Sequence, residues 1–384
     1  MNSRAILDLR LKRIMMPVQS LLRLANWTVV ILTPSLAIAQ SNNWPCFRGN
    51  ANNSGTTTAP IRLPLHESWS LNLGGPIEST PAIVNGTAYV GTMTGSVFAI
   101  RLSDRKTLWR FKSPSAFSSS PLVTDGQVQL GDEGGVFYSL NATNGKVRWK
   151  VETGDKIVSS GAALHLDVVF GSYDGGVYCV RRSNGHKIWT YSTQAPINGT
   201  PAITQFGVLV AGCDGRLRVL SPSTGKQTAA YPIGTNVAAC PAVQGQFVYV
   251  ATIRAEYSAI DLIHKRIAWR EGELEEGAGC YASAAFDSGL VLFGSRSRRV
   301  FAVDAKTGAA RWTFRTKEAV DSAPVVAAGV AFFGCNDGFL YAIRARDGKY
   351  LDAIRLGGKI TAAPAVVSDL VLVGGEDGTL HALR

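Results

Sequence analysis

Glu78, Asn198 and Asp321 are the residues of this chain best placed by spacing to share a chemical task. Each stands three residues before the opening position of one copy of a forty-residue repeat, so copies arranged in a ring would gather the three around one axis. The other copies carry Ser118, Val158, Ala238, Tyr281 and Thr361 at that position. Two carboxylates and one amide are few for a hard cation, which takes six or more oxygens. The position therefore reads first as the polar lining of a solvated channel, and no metal is expected.

Other chemistry is sparse. His66, His165, His186, His264 and His381 show no zinc-binding spacing, and no C-x-x-C-H haem site occurs. Gly131-Asp132-Glu133-Gly134-Gly135 is a turn rather than a phosphate loop, because no helix follows it. Cys46, Cys179, Cys213, Cys240, Cys280 and Cys335 read as buried thiols; Cys240 and Cys280, near neighbouring inner strands, are the one pair worth testing for a disulfide. The strongest charge feature is local. Where four repeats keep Asp-Gly in a turn, the fifth has Arg254-Ala255 and the sixth Ser297-Arg298, flanked by Arg296 and Arg299. A longer step between those two repeats inserts Glu271-Gly272-Glu273-Leu274-Glu275-Glu276. Turn chemistry does not call for arginine, so Arg254, Arg296, Arg298 and Arg299 are candidates for a partner-docking surface.

The elements that position these residues follow from the repeat. Its opening positions are Pro81, Pro121, Gly161, Pro201, Pro241, Ala284, Pro324 and Pro364, spaced by 40 residues except for one step of 43. Each copy carries short runs rich in β-branched and aromatic residues, separated by Gly turns, and none shows helical periodicity. Asp174-Gly175, Asp214-Gly215, Asp337-Gly338 and Asp377-Gly378 are expected to form type I′ hairpins, which need positive φ at both central residues. A further turn, such as Asn144-Gly145, precedes a fourth strand bearing Trp109, Trp149, Trp189, Trp269 or Trp312; Ala229 and Asp352 replace it in two copies. The fold class is all-β: an eight-bladed propeller of four-stranded antiparallel blades. The last copy stops at Arg384 one strand short, and Trp69 lies twelve residues before Pro81 as Trp109 does before Pro121. The N-terminal strand is therefore expected to complete the last blade and close the ring.

Residues 1–39 are of another kind. Five basic residues precede a thirteen-residue apolar run, Trp27 to Ala39, ending in Ala37-Ile38-Ala39. That is the pattern of a secretory signal peptide and is too short to span a bilayer, so an exported, periplasmic or cell-envelope protein without a transmembrane segment is expected. Residues 40–65 form an N-terminal extension and 66–384 the propeller. Net charge falls from +11 to +7 without the leader and is spread through turns, so no nucleic-acid partner is expected.

The pattern from Pro81 to Trp109, above all Pro81-Ala82-Ile83-Val84-Asn85-Gly86 with Ala99-Ile100 and Leu108-Trp109, resembles the pyrroloquinoline quinone (PQQ) repeat, over about 320 residues. Trp44-Pro45-Cys46-Phe47-Arg48-Gly49 is similar to a segment often found at the start of exported proteins of this type. That family includes the quinoprotein alcohol dehydrogenases and the eight-bladed propeller of the outer-membrane assembly machinery (BamB). The resemblance implies that the repeat's Trp positions, Trp69 included, lock each blade to the next. In the dehydrogenases it implies a quinone over the ring centre beside calcium, with Glu78 matching a cofactor-contacting Glu. PQQ with calcium would then rest on Glu78, Asn198 and Asp321. The chain lacks the adjacent cysteine pair of those enzymes and the long insertions that close a dry pocket. A non-catalytic scaffold, monomeric and without cofactor, binding envelope or outer-membrane proteins, is the expected function; a PQQ-dependent dehydrogenase or a degenerate relative is the alternative.

Overall fold

The computed structural model describes residues 42–272 and 279–384. The leader expected over residues 1–39, and Glu273 to Glu276 of the acidic insertion, lie outside the described residues. The rest forms eight four-stranded antiparallel blades, and Thr56–Thr57 adds a short parallel strand to the inner edge of the seventh. The first blade consists of Ala82–Val84, Thr87–Gly91, Ser96–Arg101 and Thr107–Lys112, ordered from the channel outward. The eighth takes Ala365–Val367, Leu370–Gly374 and Thr379–Leu383 from the C-terminus and Glu67–Asn72 from the N-terminus. Trp69 pairs with Ala382 and Leu71 with Leu380, so the ring closes as the strand count requires.

One turn expectation is corrected. In the Asp-Gly turns only the glycine has positive φ, 81° at Gly175 and 85° at Gly378. The Asp instead accepts a main-chain N–H two residues on, as Asp174 Oδ1 does from Gly176 at 2.7 Å. The turns with two positive φ values lie between the first and second strands, at Asn85-Gly86 (49° and 72°) and Asp125-Gly126 (50° and 67°). The aspartate side chain replaces a turn bond that a two-residue loop would make with main chain alone.

Two contacts repeat between blades. The Trp149 indole N–H donates to Arg182 O at 2.7 Å, and its ring lies where a Cβ on Gly185 would stand. Trp109 with Ala142 and Gly145, Trp189 with Pro222 and Gly225, Trp269 with Ala305 and Gly308, and Trp312 with Ala345 and Gly348 repeat the arrangement. Nearer the channel, Gly131, Gly171, Gly334 and Gly374 lie flat against Ile157, Ile197, Ile360 and Ile77 of the next blade, and a Cβ on any of them would overlap that isoleucine. Glycine is required here by close approach, not by φ.

Residues 44–60 run around the channel beneath the inner strands. At five of the inner strands a central N–H turns toward the axis, and the segment meets these groups in blade order. Trp44 exchanges two hydrogen bonds with Ile83 (2.7 and 2.8 Å), and Pro45 O accepts from Val123 at 2.7 Å. Ala51, Asn52 and Gly55 accept from Ile203, Val243 and Val326, and Pro60 O accepts from Asp369. Cys46 packs beside Ala163 of the third blade. Edge groups that would otherwise be buried unpaired are thereby satisfied.

Candidate functional site

Three tiers of side chains line the channel, each from one repeat position. Three residues before the opening position come Glu78, Asn198 and Asp321 with their five equivalents, and all eight face one cavity of about 190 Å³. The residues just before the opening position form the wall below, and Phe47 of the N-terminal segment closes the floor. Above, the residues twelve after the opening position ring the mouth. Their main-chain N–H groups are held alike, Arg296 by Gly279 O, Asn336 by Ala319 O and Glu376 by Lys359 O. This outer tier was missed in the sequence, although its fixed offset between the conserved-spacing Gly and the Asp-Gly turn made it readable.

The mouth is charged on one side. Glu78, Tyr281, Arg296, Asp321, Asn336, Lys359, Thr361 and Glu376 border a space of about 640 Å³. Arg296 Nε donates to Asp321 Oδ1 at 2.7 Å, and its guanidinium lies 3.7 Å from the centre of the Tyr281 ring. Asn336 Nδ2 donates to the other Asp321 oxygen at 3.1 Å. Burial pushes the Glu78 carboxyl above its ordinary range, and the neighbouring Glu376 and Glu133 add to the shift. Asn198 Oδ1 accepts from the Tyr173 hydroxyl at 3.3 Å. The three residues singled out from the sequence thus share a cavity but have different environments: Asp321 ion-paired, Glu78 crowded by like charge, Asn198 hydrogen-bonded.

The four arginines divide. Arg254 and Arg298 are exposed on turns of the adjacent fifth and sixth blades, with no ion-pair partner among the described residues. Arg298 takes a φ of 60° at the turn. Arg299 opens a strand and lies 5.8 Å from the centre of the Phe301 ring. Arg296, grouped with them by sequence, instead turns to Asp321 at the mouth.

No disulfide forms among the described residues, so Cys240 and Cys280 are not joined. Cys240 belongs to the channel wall, its sulfur accepting the Thr200 N–H at 2.9 Å, while Cys280 is fully buried in the core with Ala251. Cys280 is the counterpart of the isoleucines that face glycine elsewhere, and it shares a core cluster with Ala251, at a position where six blades have Gly and the fourth has Ala211. Burial pushes the Cys46 thiol up to about 12.

The channel does not offer a calcium-bound quinone a matching donor set. Asp321 is committed to Arg296 and Asn336, and among the described residues no three His, Cys, Asp or Glu side chains converge to hold a metal ion. No described helix is long and apolar enough to cross a membrane.

Fold and channel together define a propeller of PQQ-like repeats. The family model described as outer membrane protein assembly factor BamB matches residues 66–271 and 267–384, and the chain belongs to that family. No curated protein matches the sequence at a significant level. Among solved structures it is similar to BamB from Moraxella catarrhalis, with 18% identity and a TM-score of 0.75 over 84% of this chain and 100% of that one. Quinohemoprotein alcohol dehydrogenase from Comamonas testosteroni matches at 15% identity and a TM-score of 0.77, over 90% of this chain and 81% of that one. The computationally designed Ika8 protein matches at 16% identity and 0.71, over 85% and 99%. An assembly factor, an enzyme and a designed protein fit the backbone about equally, so these likenesses establish fold and leave chemistry to the side chains.

Proposed function

We propose that this chain is a non-catalytic, exported propeller that works as a monomeric protein-binding scaffold in the assembly of envelope or outer-membrane proteins. The observation that carries the reading is the contrast between turns and channel. The turns of the fifth and sixth blades present Arg254 and Arg298 exposed and without an ion-pair partner among the described residues, and the sixth adds the Arg296–Tyr281 stack, whereas the channel below ends at Phe47 and its carboxylates are paired or mutually repelling. Arginine and tyrosine are the residues that dominate protein interfaces, and exposed charge steers encounter. The family's description as an outer membrane assembly factor supports the partner class. Export rests on the arginine-flanked apolar run before Gln40. The test is Arg254→Glu combined with Arg298→Glu in the mature chain: capture of envelope proteins drops roughly tenfold while the melting temperature is unchanged. Unchanged capture overturns the docking surface.

A further inference from the structure

Arg48 is fully buried, its Nη2 donates to Ala284 O at 2.6 Å, and its Nε and Nη1 have no partner. No carboxylate pairs with it among the described residues. Burial pulls its proton affinity down to about 9, and Cys240 is the titratable group set against it. An unpaired charge inside a protein is strongly unfavourable, so a missing counter-charge needs an explanation.

The channel chamber beside it suggests one. Arg48 itself stands behind the chamber wall: Phe47 before it, Ser283 before its acceptor Ala284, and Cys240, whose charge acts on it, line the chamber together with Thr80, Ser120, Ser160 and Thr200. These residues relay hydrogen bonds from blade to blade. The Thr80 N–H donates to Ser120 Oγ at 2.9 Å, the Ser120 N–H to Ser160 Oγ at 2.9 Å, and the Ser160 N–H to Thr200 Oγ1 at 3.0 Å. Each hydroxyl so used as an acceptor keeps its own hydrogen to donate, and accepting strengthens that donation. Thr80 is 2% exposed, and its Oγ1 has no partner; Ser118 Oγ, in the tier above, has none either.

We propose that this chamber binds one small oxyanion, held by the hydroxyls of Thr80, Ser118, Ser120 and Ser160, with the buried guanidinium of Arg48 supplying the balancing positive charge. Glu78 on the rim opposes binding, since its charge faces the same space. Asp321 does so less, because Arg296 neutralises it.

Equilibrium dialysis of the full mature chain with labelled inorganic phosphate tests the site. Saturable binding of one phosphate per chain is expected. Thr80→Val removes a hydroxyl that serves no protein acceptor and leaves the relay intact, and it should weaken binding roughly tenfold; Glu78→Gln should tighten it. Arg48→Met should abolish binding, and Thr80→Val carries the test if that variant does not fold. Competition by acetate as effective as by sulfate would point to the carboxylate of a larger molecule entering from the mouth; stronger competition by sulfate would point to a free inorganic ion. Absence of saturable phosphate binding, or equal binding by wild type and Thr80→Val, overturns the proposal.

Discussion

The joint between the third and fourth blades and the joint between the fourth and fifth solve the same packing problem differently. At the first, Trp189 covers Gly225 and hydrogen-bonds Pro222, and Gly171 accepts the flat side of Ile197. At the second, Ala229 stands in the tryptophan's place and Lys265, at a φ of 52°, in that of the glycine. Nearer the channel, Ala211 packs in one cluster with Val237. Both partners change together: a smaller aromatic contact comes with a larger turn residue, and a larger Ala with a smaller Val. The lock belongs to the pair of positions and not to tryptophan or glycine alone. The seventh blade departs in another way. Asp352 replaces the tryptophan and accepts the Leu65 N–H at 2.5 Å, guiding the chain into the strand that closes the ring.

The comparison can be broken most forcefully at Trp189. Trp189→Ala should cost about 3–5 kcal/mol in denaturant unfolding, because a nearly buried aromatic is removed from a joint that has nothing to replace it. Gly171→Ala should cost about 1–3 kcal/mol by overpacking, with Ile197 as the obstruction. Ala229→Trp alone should gain nothing, since Lys265 occupies the facing turn. Combined with Lys265→Gly it should show a favourable coupling of about 1 kcal/mol, and strict additivity would mean that the two positions are independent.

The smallest effect concerns the turn of the sixth blade. The Arg311 side chain, with the main-chain N–H groups of Thr307 and Lys306, holds the Asp304 carboxyl down at about 2. A depressed carboxylate stabilises the fold above its unfolded pKa, near ~3.9, and loses that contribution as pH falls toward the folded value. Asp304→Asn should therefore lower the melting temperature at neutral pH, and its difference from wild type should vanish between about pH 4 and pH 2.

Much of this was legible in the sequence because a repeat reports each contact several times. The blade count, the closing strand and the ring of Glu78, Asn198 and Asp321 all follow from spacing. What stayed hidden lies outside the repeat or depends on side-chain direction. The path of residues 44–60 has no periodicity; its only local signs are Gly49 and Gly55, which leave room for Trp44 and Arg48. Arg296 was grouped with its sequence neighbours because spacing cannot show that it turns toward Asp321 of the next blade. The turn type went to the wrong hairpin because Asp-Gly occurs in both, and only the turn between the first and second strands, as at Asp125-Gly126, adopts two positive φ values.

The central claim is that the channel carries no quinone chemistry and that protein recognition belongs to the turns. Calorimetric titration of the mature chain with pyrroloquinoline quinone and calcium, followed by a dye-coupled alcohol oxidation assay, tests it most directly. The account predicts neither stoichiometric binding nor turnover. Stoichiometric binding with turnover, lost on substitution of Glu78, Asn198 or Asp321, would contradict it and make the chain an enzyme.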